Sequence, residues 1–393
     1  MTIAGKIEHF ISKSSWIRKM FEEGTRLKEQ HGAENVFDFS LGNPYLQPPD
    51  KFRDVLQNLV KNPGPCDHSY MPNAGYPYVC KNVASYVSTE QGVQISASEI
   101  IMTCGAAGGL NVILKTLLNP DEEVITPAPY FVEYGFYADN HGGKLVTVPT
   151  NEDFTLDLQK VSSAISDKTR VVLINSPNNP TGQVYNRESL ELLGSLLRKK
   201  SKEQGKTIYL VSDEPYRKIV YDGIAVPSLF TCYDDSIIVT SFSKDISIPG
   251  ERIGFIAVNP KAEYKKKLTA GMTLANRILG FVNAPALMQR VVGELQGESA
   301  DMSLYAKKRE ILCNSLSDFG YEFKKPAGAF YLFCKSPIPD DVAFVRTLQE
   351  ELILTVPGSG FGGPGHFRIA FCVDNDTIIR ALPGFKKSIE KTL

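Results

Sequence analysis

The sequence predicts an α/β protein with one large domain and a smaller α+β domain built from both termini. The chain has 393 residues, which is long for a single hydrophobic core. Between about residues 99 and 258, short apolar segments alternate with helical patterns, and this texture changes after residue 284. Such an alternation is typical of a mainly parallel sheet covered by helices.

Seven apolar segments predict the strands of a seven-stranded sheet in the large domain. Helical patterns such as GGLNVILKTLL and RESLELLGSLLRKK fit between most of them. We therefore expect the large domain to span residues 46–283. The predicted strands are EIIMT, EEVIT, KLVTV, RVVLIN, TIYLVS, SIIVTS and RIGFIAV.

The two ends of the chain predict the smaller domain. A helical pattern over residues 14–31 ends at Gly32, a residue type that commonly terminates helices. One long helical region over 284–318 then leads to the strand candidates AFYLFCK, LILTV and HFRIAFC. We expect an N-terminal segment, 1–45, to pack with a C-terminal small domain, 284–393.

Composition and charge argue against several classes of protein. The net charge of -1 gives no reason to expect nucleic acid or an anionic membrane surface as a partner. No HExxH or CxxC motif is present, so we expect no metal site. Seven scattered cysteines favour reduced thiols in the cytoplasm, and neither a secretory signal nor a membrane-spanning apolar stretch is evident.

Polar clusters follow five of the predicted strands. In open α/β sheets, ligands bind outside the carboxyl ends of the strands, so these loops are expected to converge on one site. A purely structural protein has no need of such an arrangement. The clusters are GAAGG after residue 103, PAPYF after 126, NSPNNPTG after 174, SDEPY after 211 and SFSK after 240.

Each cluster allows a chemical and a plain structural interpretation. TCGAAGGL is either a phosphate-binding helix start or a tight turn that needs its glycines. In SPNNPTG, Asn178 and Asn179 either present amides or simply favour a turn. Asp213 is either a helix cap or a buried charge that needs a cationic partner, and Tyr216 is either a core tyrosine or a phenol directed at the same space.

Lys244 ends the buried segment SIIVTSFS, where an ammonium group is costly to bury. A lysine whose pKa is lowered forms Schiff bases, chiefly with pyridoxal phosphate. That cofactor needs a phosphate cradle, a carboxylate at its ring nitrogen, donors to its phenolic oxygen and an aromatic ring on its face. The five loops offer each of these groups, and Ser241, Ser243 and Arg252 suit a phosphate.

With these motifs in order, the sequence resembles the class I/II aminotransferases, pyridoxal-phosphate enzymes of the aspartate aminotransferase superfamily with fold type I. The resemblance covers nearly the whole chain, and its specificity lies in the ordered combination. Its motifs are FSLGNP, YMPNAG, TCGAAGGL, PAPYF, NSPNNPTG, SDEPY, SFSKDISIPGERIGF, KPAGAFYLF, VPGSGFG and FRIAF.

The resemblance implies roles for residues around the cofactor ring. Lys244 would form the internal aldimine and later shuttle the substrate proton. Asp213 would pair with the pyridine nitrogen, and Asn179 and Tyr216 would hydrogen-bond the phenolic oxygen. Phe131 would stack on the ring.

The resemblance also implies a phosphate site, a substrate site and a homodimer. Gly105, Ala106 and Ala107, with Ser241, Ser243 and Arg252, would hold the phosphate. Tyr70 would reach the phosphate in the neighbouring subunit. Arg368 would bind the substrate α-carboxylate, assisted by Gly42 and Asn179.

Several positions depart from the family pattern. Ala107 replaces a common hydroxyl residue, Glu251 replaces a bulky apolar residue, and Asn43 stands where a glutamate is commoner. Arg277 is a candidate for binding a substrate side-chain carboxylate across the dimer. Aligned on Asn283, however, it falls one position off, and an exposed helix arginine is the alternative interpretation.

We therefore expect a cytoplasmic aminotransferase that moves an amino group from an L-amino acid, aspartate or one like it, to a 2-oxo acid such as 2-oxoglutarate, by a ping-pong mechanism. The main alternative is a pyridoxal-phosphate β-lyase of the cystathionine type, which PNNP in place of PHNP disfavours. A cofactor-binding effector domain would need an attached DNA-binding segment and a basic patch.

Overall fold

The computed structural model describes residues 2–12 and 16–392. The predicted α/β architecture, with its seven-stranded sheet and a further small sheet, is confirmed. The first eight strands along the chain are β1 Phe37–Asp38, β2 Ile100–Thr103, β3 Glu123–Ala128, β4 Lys144–Pro149, β5 Thr169–Asn175, β6 Tyr209–Asp213, β7 Ser236–Ser241 and β8 Gly254–Val258. Seven of them form the largest sheet, in the spatial order β2-β8-β7-β6-β5-β3-β4.

Thirteen α-helices accompany the strands within the described residues. Those that follow strands of the large sheet cover its two faces. The helices are α1 Gly5–Ser12, α2 Trp16–His31, α3 Asp50–Lys61, α4 Pro77–Gln91, α5 Gly105–Leu117, α6 Glu133–Asp139, α7 Leu158–Ala164, α8 Arg187–Gln204, α9 Lys265–Ile278, α10 Ala286–Glu294, α11 Met302–Asp318, α12 Asp341–Glu350 and α13 Asn375–Glu390.

Apart from its edge strand β4, the large sheet is buried on both faces, because its strands are apolar at most positions. In β5, Val171 and Leu173 belong to one hydrophobic core, and Val172 and Ile174 belong to the other. This follows from the two-residue repeat of a strand, which sends successive side chains to opposite faces. The sheet is therefore the rigid support from which the loops at its edge project.

One strand of the large sheet runs against the others. β8 pairs antiparallel with both β2 and β7, whereas the remaining neighbours pair parallel. The start of β8 therefore lies at the same edge as the ends of the other strands. This reversal brings Arg252, just before β8, to the edge where the polar loops gather.

A small sheet is built from strands near the C-terminus. The remaining strands are β9 Tyr331–Lys335, β10 Ile353–Leu354, β11 Val356–Pro357 and β12 His366–Ala370. The small sheet has the order β11-β12-β9, and both of its pairings are antiparallel. The predicted strand LILTV is divided, because β10 pairs with β1 in a separate parallel pair while β11 joins the small sheet. Helices α11, α12 and α13 contribute to the core beneath this sheet.

The sequence predicts one long helical stretch over residues 284–318, and the structure differs from this prediction. The region forms two helices, α10 and α11, separated by residues that include Gly297 with a φ of 88°. Val291 and Val292 of α10 pack in the core of the large sheet, whereas Leu312 of α11 packs in the core of the small sheet. The division into a large domain, 46–283, and a small domain, 284–393, stays a proposal, in which α10 packs against the core of the large sheet.

The N-terminal segment contacts both parts of the molecule. Phe10 of α1 packs edge-on against Phe136 of α6, with 4.9 Å between ring centroids. Met20 of α2 is buried in the core of the small sheet. The predicted helix over 14–31 is observed as Trp16–His31, and its first two predicted positions lie outside the described residues.

Two kinds of feature are absent from the described residues. No helix among them is both long and apolar enough to cross a membrane. In the same part of the chain, no group of three or more histidine, cysteine, aspartate or glutamate side chains could hold a metal ion.

Candidate active site

A cavity of about 860 Å³, including its open mouth, lies at the edge of the large sheet where the polar loops meet. The small sheet closes one side of this cavity. Residues from eight separate stretches of the chain therefore line one space. The lining residues are Gly42, Ala106, Ala107, Leu110, Phe131, Tyr137, Asn175, Asn179, Asp213, Pro215, Tyr216, Ser241, Ser243, Lys244, Pro249, Arg252, Tyr331 and Arg368.

Lys244 projects into the cavity from the loop after β7. Its Nζ donates to the carbonyl oxygen of Gly42 at 2.6 Å and lies 5.8 Å from the centre of the Phe330 ring. Burial, opposed by Cys372 and aided by the cations of Arg252 and Arg368, lowers the pKa of Lys244 to about 8. A neutral amine is therefore readily available at this position near physiological pH.

Asp213 is the last residue of β6, and its side chain is buried. One carboxylate oxygen, Oδ2, accepts a hydrogen bond from the hydroxyl of Tyr134 at 2.7 Å. The other, Oδ1, is buried without any hydrogen-bond partner. Burial raises the pKa of Asp213 to about 7, which the bond from Tyr134 opposes and the nearby charge of Glu214 reinforces. A buried carboxylate with an unpaired oxygen is prepared to receive a donor.

One end of the cavity is suited to an anion. Helix α5 begins at Gly105, so the free N–H groups of its first turn, and the positive end of its dipole, lie beside Ala106 and Ala107. Ser241, Ser243 and Arg252 line the same cavity, and Nη2 of Arg252 lies close to Gly105 at the start of the helix.

Gly105 is favoured by its backbone conformation and lies close to Arg252. It adopts a φ of 71°, and a Cβ atom there would lie 2.8 Å from Nη2 of Arg252. The chain thus lets a cation reach the start of the helix without a side chain in between. Gly105 supports the anion end but does not line the cavity.

Arg368 of β12 marks the opposite end of the cavity. Its Nη1 donates to Oδ1 of Asn179 at 2.9 Å, and its Nη2 donates to the carbonyl of Ser40 at 2.5 Å. Its Nε is buried without a partner. The backbone of Asn179 is held in turn, because its N–H donates to Oδ1 of Asn175 at 2.6 Å.

Tyr216 contacts a second tyrosine of the cavity lining. Its hydroxyl lies 2.8 Å from the hydroxyl of Tyr331, on β9 of the small sheet. Phe131, which also lines the cavity, packs edge-on against Tyr134 with ring centroids 5.6 Å apart. The aromatic wall and the buried Asp213 are therefore linked through Tyr134.

Two buried ion pairs lie directly behind the site. Glu214, next to Asp213, pairs with Arg217 at 2.7 Å, and Asp245, next to Lys244, pairs with Lys218 at 3.2 Å. Arg217 and Lys218 are consecutive in one loop. They thus hold the carboxylates that directly follow Asp213 and Lys244 in the chain. Breaking either pair would leave an uncompensated charge in the interior.

Two of the sequence-predicted site residues lie away from the cavity. Tyr70 is 88% exposed. Arg277 is exposed on α9 and lines a shallow surface groove with Asn73 and Ser98. Within one chain, neither residue joins the cavity.

Of the residues that depart from the family pattern, Ala107 lines the cavity, whereas Glu251 and Asn43 do not. Glu251 is exposed, and Arg252 donates instead to the carbonyl of Pro249 at 3.0 Å. Asn43 does not line the cavity either.

Sequence reasoning missed four side chains at the site, namely Tyr134, Tyr137, Asn175 and Tyr331. Asn175 is the last residue of β5, so the same strand-end argument that selected Asp213 applies to it. Tyr134 lies in the first turn of α6, three residues after Phe131. Tyr331 stands inside the motif KPAGAFYLF, but nothing local shows that it faces the cavity.

The arrangement combines an amine of lowered pKa, a buried carboxylate, an anion-binding helix start and a buried arginine. Comparison with known proteins agrees with it. The family model for aminotransferase class I and II matches residues 34–384. A probable aspartate aminotransferase from Methanocaldococcus jannaschii is 30% identical over 387 residues, covering 96% of this chain and 98% of that protein.

Two solved structures have the same fold over nearly the whole chain. An amino transferase from Eubacterium rectale superposes with a TM-score of 0.96 at 39% identity, covering 100% of this chain and 99% of that one. The aspartate aminotransferase of Thermus thermophilus with maleate gives a TM-score of 0.86 at 25% identity, covering 99% and 100%. These likenesses confirm the resemblance on which the sequence analysis relied. The chain therefore belongs to the class I and II aminotransferases, and it is a transaminase with the fold type I architecture of pyridoxal-phosphate enzymes.

Proposed function

We propose that this chain uses pyridoxal 5'-phosphate to move an amino group from an L-amino acid to a 2-oxo acid. The observation that carries the proposal is that Lys244, Asp213 and Arg368 line one cavity while Oδ1 of Asp213 is buried without a partner. A buried, unpaired carboxylate oxygen calls for a donor, and a protonated pyridine nitrogen is such a donor.

The residues of the cavity fit the cofactor group by group. Asp213 would pair with the ring nitrogen, and Phe131 would lie against the ring. Ser241, Ser243, Arg252 and the first turn of α5 would hold the phosphate. Tyr216 and Asn179 would donate to the phenolic oxygen, and Lys244 would hold the aldehyde carbon covalently. The lining of the cavity supports this assignment, because it presents each of these groups to one space.

Pyridoxal phosphate, when bound, delocalises the negative charge that forms when the substrate loses its α-proton. The chain's own contribution is the positioned base. With a pKa of about 8, Lys244 has a substantial neutral fraction near pH 7 to 8, so its Nζ can take the proton from the α-carbon and return it. The carbonyl of Gly42 holds this amine in the cavity.

Arg368 would fix the substrate's orientation. Two of its three nitrogens are already held by Asn179 and Ser40, while Nε is buried and unpaired. A carboxylate could therefore bind a guanidinium whose direction is set by the protein beforehand. Fixing the carboxylate at Arg368 would hold the substrate's α-carbon within the cavity that contains Lys244.

We further propose aspartate or a similar amino acid as donor and 2-oxoglutarate as acceptor, in a ping-pong mechanism. Support comes from the relatives, which are named aspartate aminotransferases, and from the Thermus thermophilus enzyme solved with maleate, a dicarboxylate. All seven cysteines are free, which favours a reducing compartment, and we propose the cytoplasm.

A homodimer with shared sites completes the proposal. Tyr70 is almost fully exposed and Arg277 lies on the surface, outside the cavity of its own chain. Tyr70 of a neighbouring copy would then reach the phosphate end, and Arg277 is the candidate for a side-chain carboxylate.

The test combines a spectrum with a donor panel. Purified protein mixed with pyridoxal phosphate is expected to acquire a visible absorption band that amino acids bleach and 2-oxoglutarate restores. A panel of amino acids against 2-oxoglutarate then identifies the donor. The absence of any visible band would refute the cofactor assignment, whereas strong release of pyruvate and thiol from cystathionine would favour the lyase.

A further inference from the structure

Tyr331 is a buried residue of the cavity that the proposed roles do not use. It lies on β9, where it is paired with Ala370 of β12, and its side chain is only 2% exposed. Because side chains two residues apart share a face of a strand, Tyr331 shares a face of the small sheet with Arg368. Tyr331 thus comes from the small sheet but faces residues of the large one.

Its side chain makes three contacts, each with a different part of the site. The ring lies 4.6 Å from the guanidinium carbon of Arg368. The hydroxyl lies 2.8 Å from that of Tyr216. A Cβ atom added to Gly42 would lie 1.9 Å from the same hydroxyl oxygen, so the backbone that accepts from Lys244 closely approaches Tyr331.

Arg368 is held between two aromatic rings, since Phe361 also lies 4.6 Å from its guanidinium carbon. A guanidinium placed over ring faces is attracted by their quadrupoles and cannot tilt freely. Together with the bonds to Asn179 and Ser40, this fixes the direction of the carboxylate-binding group.

The direction of the hydrogen bond between the two tyrosines follows from proton counting. A phenol has one proton to donate. If Tyr216 donates its proton to the cofactor, its oxygen can only accept from Tyr331. Since hydrogen bonds in a chain polarise one another, a donating Tyr331 makes Tyr216 the stronger donor.

We infer that Tyr331 is a positioning residue that acts on both ends of the cavity. Its ring orients Arg368 toward the substrate carboxylate, and its hydroxyl orients and strengthens Tyr216 as a donor. This inference rests on the proposed function, because it assigns Tyr331 to support groups of that same site.

The first test is Tyr331→Phe, which keeps the ring and removes only the hydroxyl. The visible band of the bound cofactor is titrated with pH. A weaker donor at the phenolic oxygen leaves the cofactor's proton harder to lose, so the midpoint should rise by roughly 0.4 to 1 pH unit, the equivalent of one hydrogen bond. The KM values of both substrates should change less than about twofold, because the ring still contacts Arg368.

The second test is Tyr331→Leu, which also removes the ring. We expect the dissociation constant of maleate, measured by calorimetry on the holoenzyme, to rise by about 5- to 30-fold, the range for a buried cation–π contact. Tyr331→Phe should leave that constant nearly unchanged. If Tyr331→Leu does not fold, the Tyr331→Phe titration still decides the role of the hydroxyl.

Tyr221→Phe is the matched control. Tyr221 is buried in the same core, its hydroxyl donates to the carbonyl of Ala329 at 2.6 Å, and Arg309 lies 4.3 Å from its ring centre. It does not line the cavity. The control should lower thermal stability without moving the midpoint or the maleate affinity.

Three outcomes would overturn the inference: an unmoved midpoint in Tyr331→Phe, an equal shift in Tyr221→Phe, or an unchanged maleate dissociation constant in a folded Tyr331→Leu. A wild-type protein with no visible band would instead overturn the proposed function. The two failures are therefore distinguishable.

Discussion

The cofactor end and the side-chain end of the cavity differ in how completely one chain builds them. At the cofactor end, Asp213, Ser241 and Ser243 are buried, and Lys244 is held by the carbonyl of Gly42. At the side-chain end, the candidate for binding a substrate side-chain carboxylate, Arg277, is exposed and lies outside the cavity of its own chain.

This difference separates the reaction from the choice of substrate. The groups proposed to perform the chemistry need fixed directions, and burial among partners provides them. The groups that would select a substrate side chain can vary without disturbing the buried end. The buried ion pairs of Glu214 and Asp245, which adjoin the reactive residues, belong to the fixed part.

Lys244→Ala should have the largest effect on turnover, and it acts at the cofactor end. The cavity lining contains no other lysine, so the variant loses both the covalent attachment and the base. We expect turnover to fall by at least about 10³-fold, with the visible band lost. Lys206→Ala is the control, since Lys206 pairs with Glu122 at 3.4 Å away from the cavity, and it should retain both. Retained turnover in Lys244→Ala would contradict the assigned chemistry.

Arg368→Gln should have the next largest effect, at the substrate carboxylate. The KM of donor and acceptor should both rise by about 30- to 1000-fold, the range for losing one partner of a buried charge pair, while the visible band persists. Arg309→Gln tests specificity, because Arg309 is equally buried but pairs with Asp222 at 2.7 Å. That control should unfold at lower temperature with unchanged KM. Equal KM changes in Arg368→Gln and Arg309→Gln would contradict the assignment of Arg368 to the substrate carboxylate.

Asp213→Asn tests the cofactor end through the pH dependence of the apoprotein's unfolding free energy. The folded pKa of Asp213 is raised to about 7, so wild-type stability should fall as pH rises from about 4 to 7, where the folded state holds the proton and the unfolded chain does not. Relative to wild type, the variant should gain roughly 1–3 kcal/mol of unfolding free energy above pH 7 and little at pH 4.

Asp222→Asn provides a control of opposite sign for this measurement. The bond from Arg309 lowers the pKa of Asp222, so its contribution to stability is present above about pH 4 and lost on acidification. This variant should therefore be destabilised at pH 7. A chemical denaturation series across pH, with both variants, distinguishes the two signs, and parallel curves would argue against a buried, proton-holding Asp213.

Arg277→Ala should have the smallest effect, at the side-chain end. If Arg277 of a neighbouring copy binds the side-chain carboxylate, the KM for aspartate should rise by about 5- to 10-fold, as for a partly exposed ion pair, and the KM for alanine should not change. Lys266→Ala, on the same helix and also exposed, should leave both unchanged. Equal KM values for aspartate in wild type and Arg277→Ala would show that Arg277 is only an exposed helix arginine.

The sequence was most informative where function depends on strand ends. The strand patterns that predict β6 and β7 also predict that Asp213 and Lys244 leave the sheet at one edge, and both line the cavity. It was uninformative about pairs distant in the chain. Tyr134 and Asp213 are 79 residues apart, and Tyr216 and Tyr331 are 115 apart. Only tertiary packing brings such side chains together.

The region between residues 284 and 318 shows the same limit for a helix. Its apolar pattern predicts helical structure, which α10 and α11 both have. The pattern does not specify which core each helix joins, because an apolar face fits either core equally well. Val291 packs with the large sheet and Leu312 with the small one, and this choice depends on neighbours far along the chain.

The reversed strand β8 has a consequence for the order of folding. Antiparallel neighbours joined by a short connection pair with little loss of chain entropy, whereas the parallel neighbours of this sheet are joined by long crossovers. The connection between β7 and β8, residues 242–253, carries both Lys244 and Arg252. The two groups proposed to bind opposite ends of the cofactor could therefore come together in a single local hairpin, before the distant strands of the sheet have assembled around it.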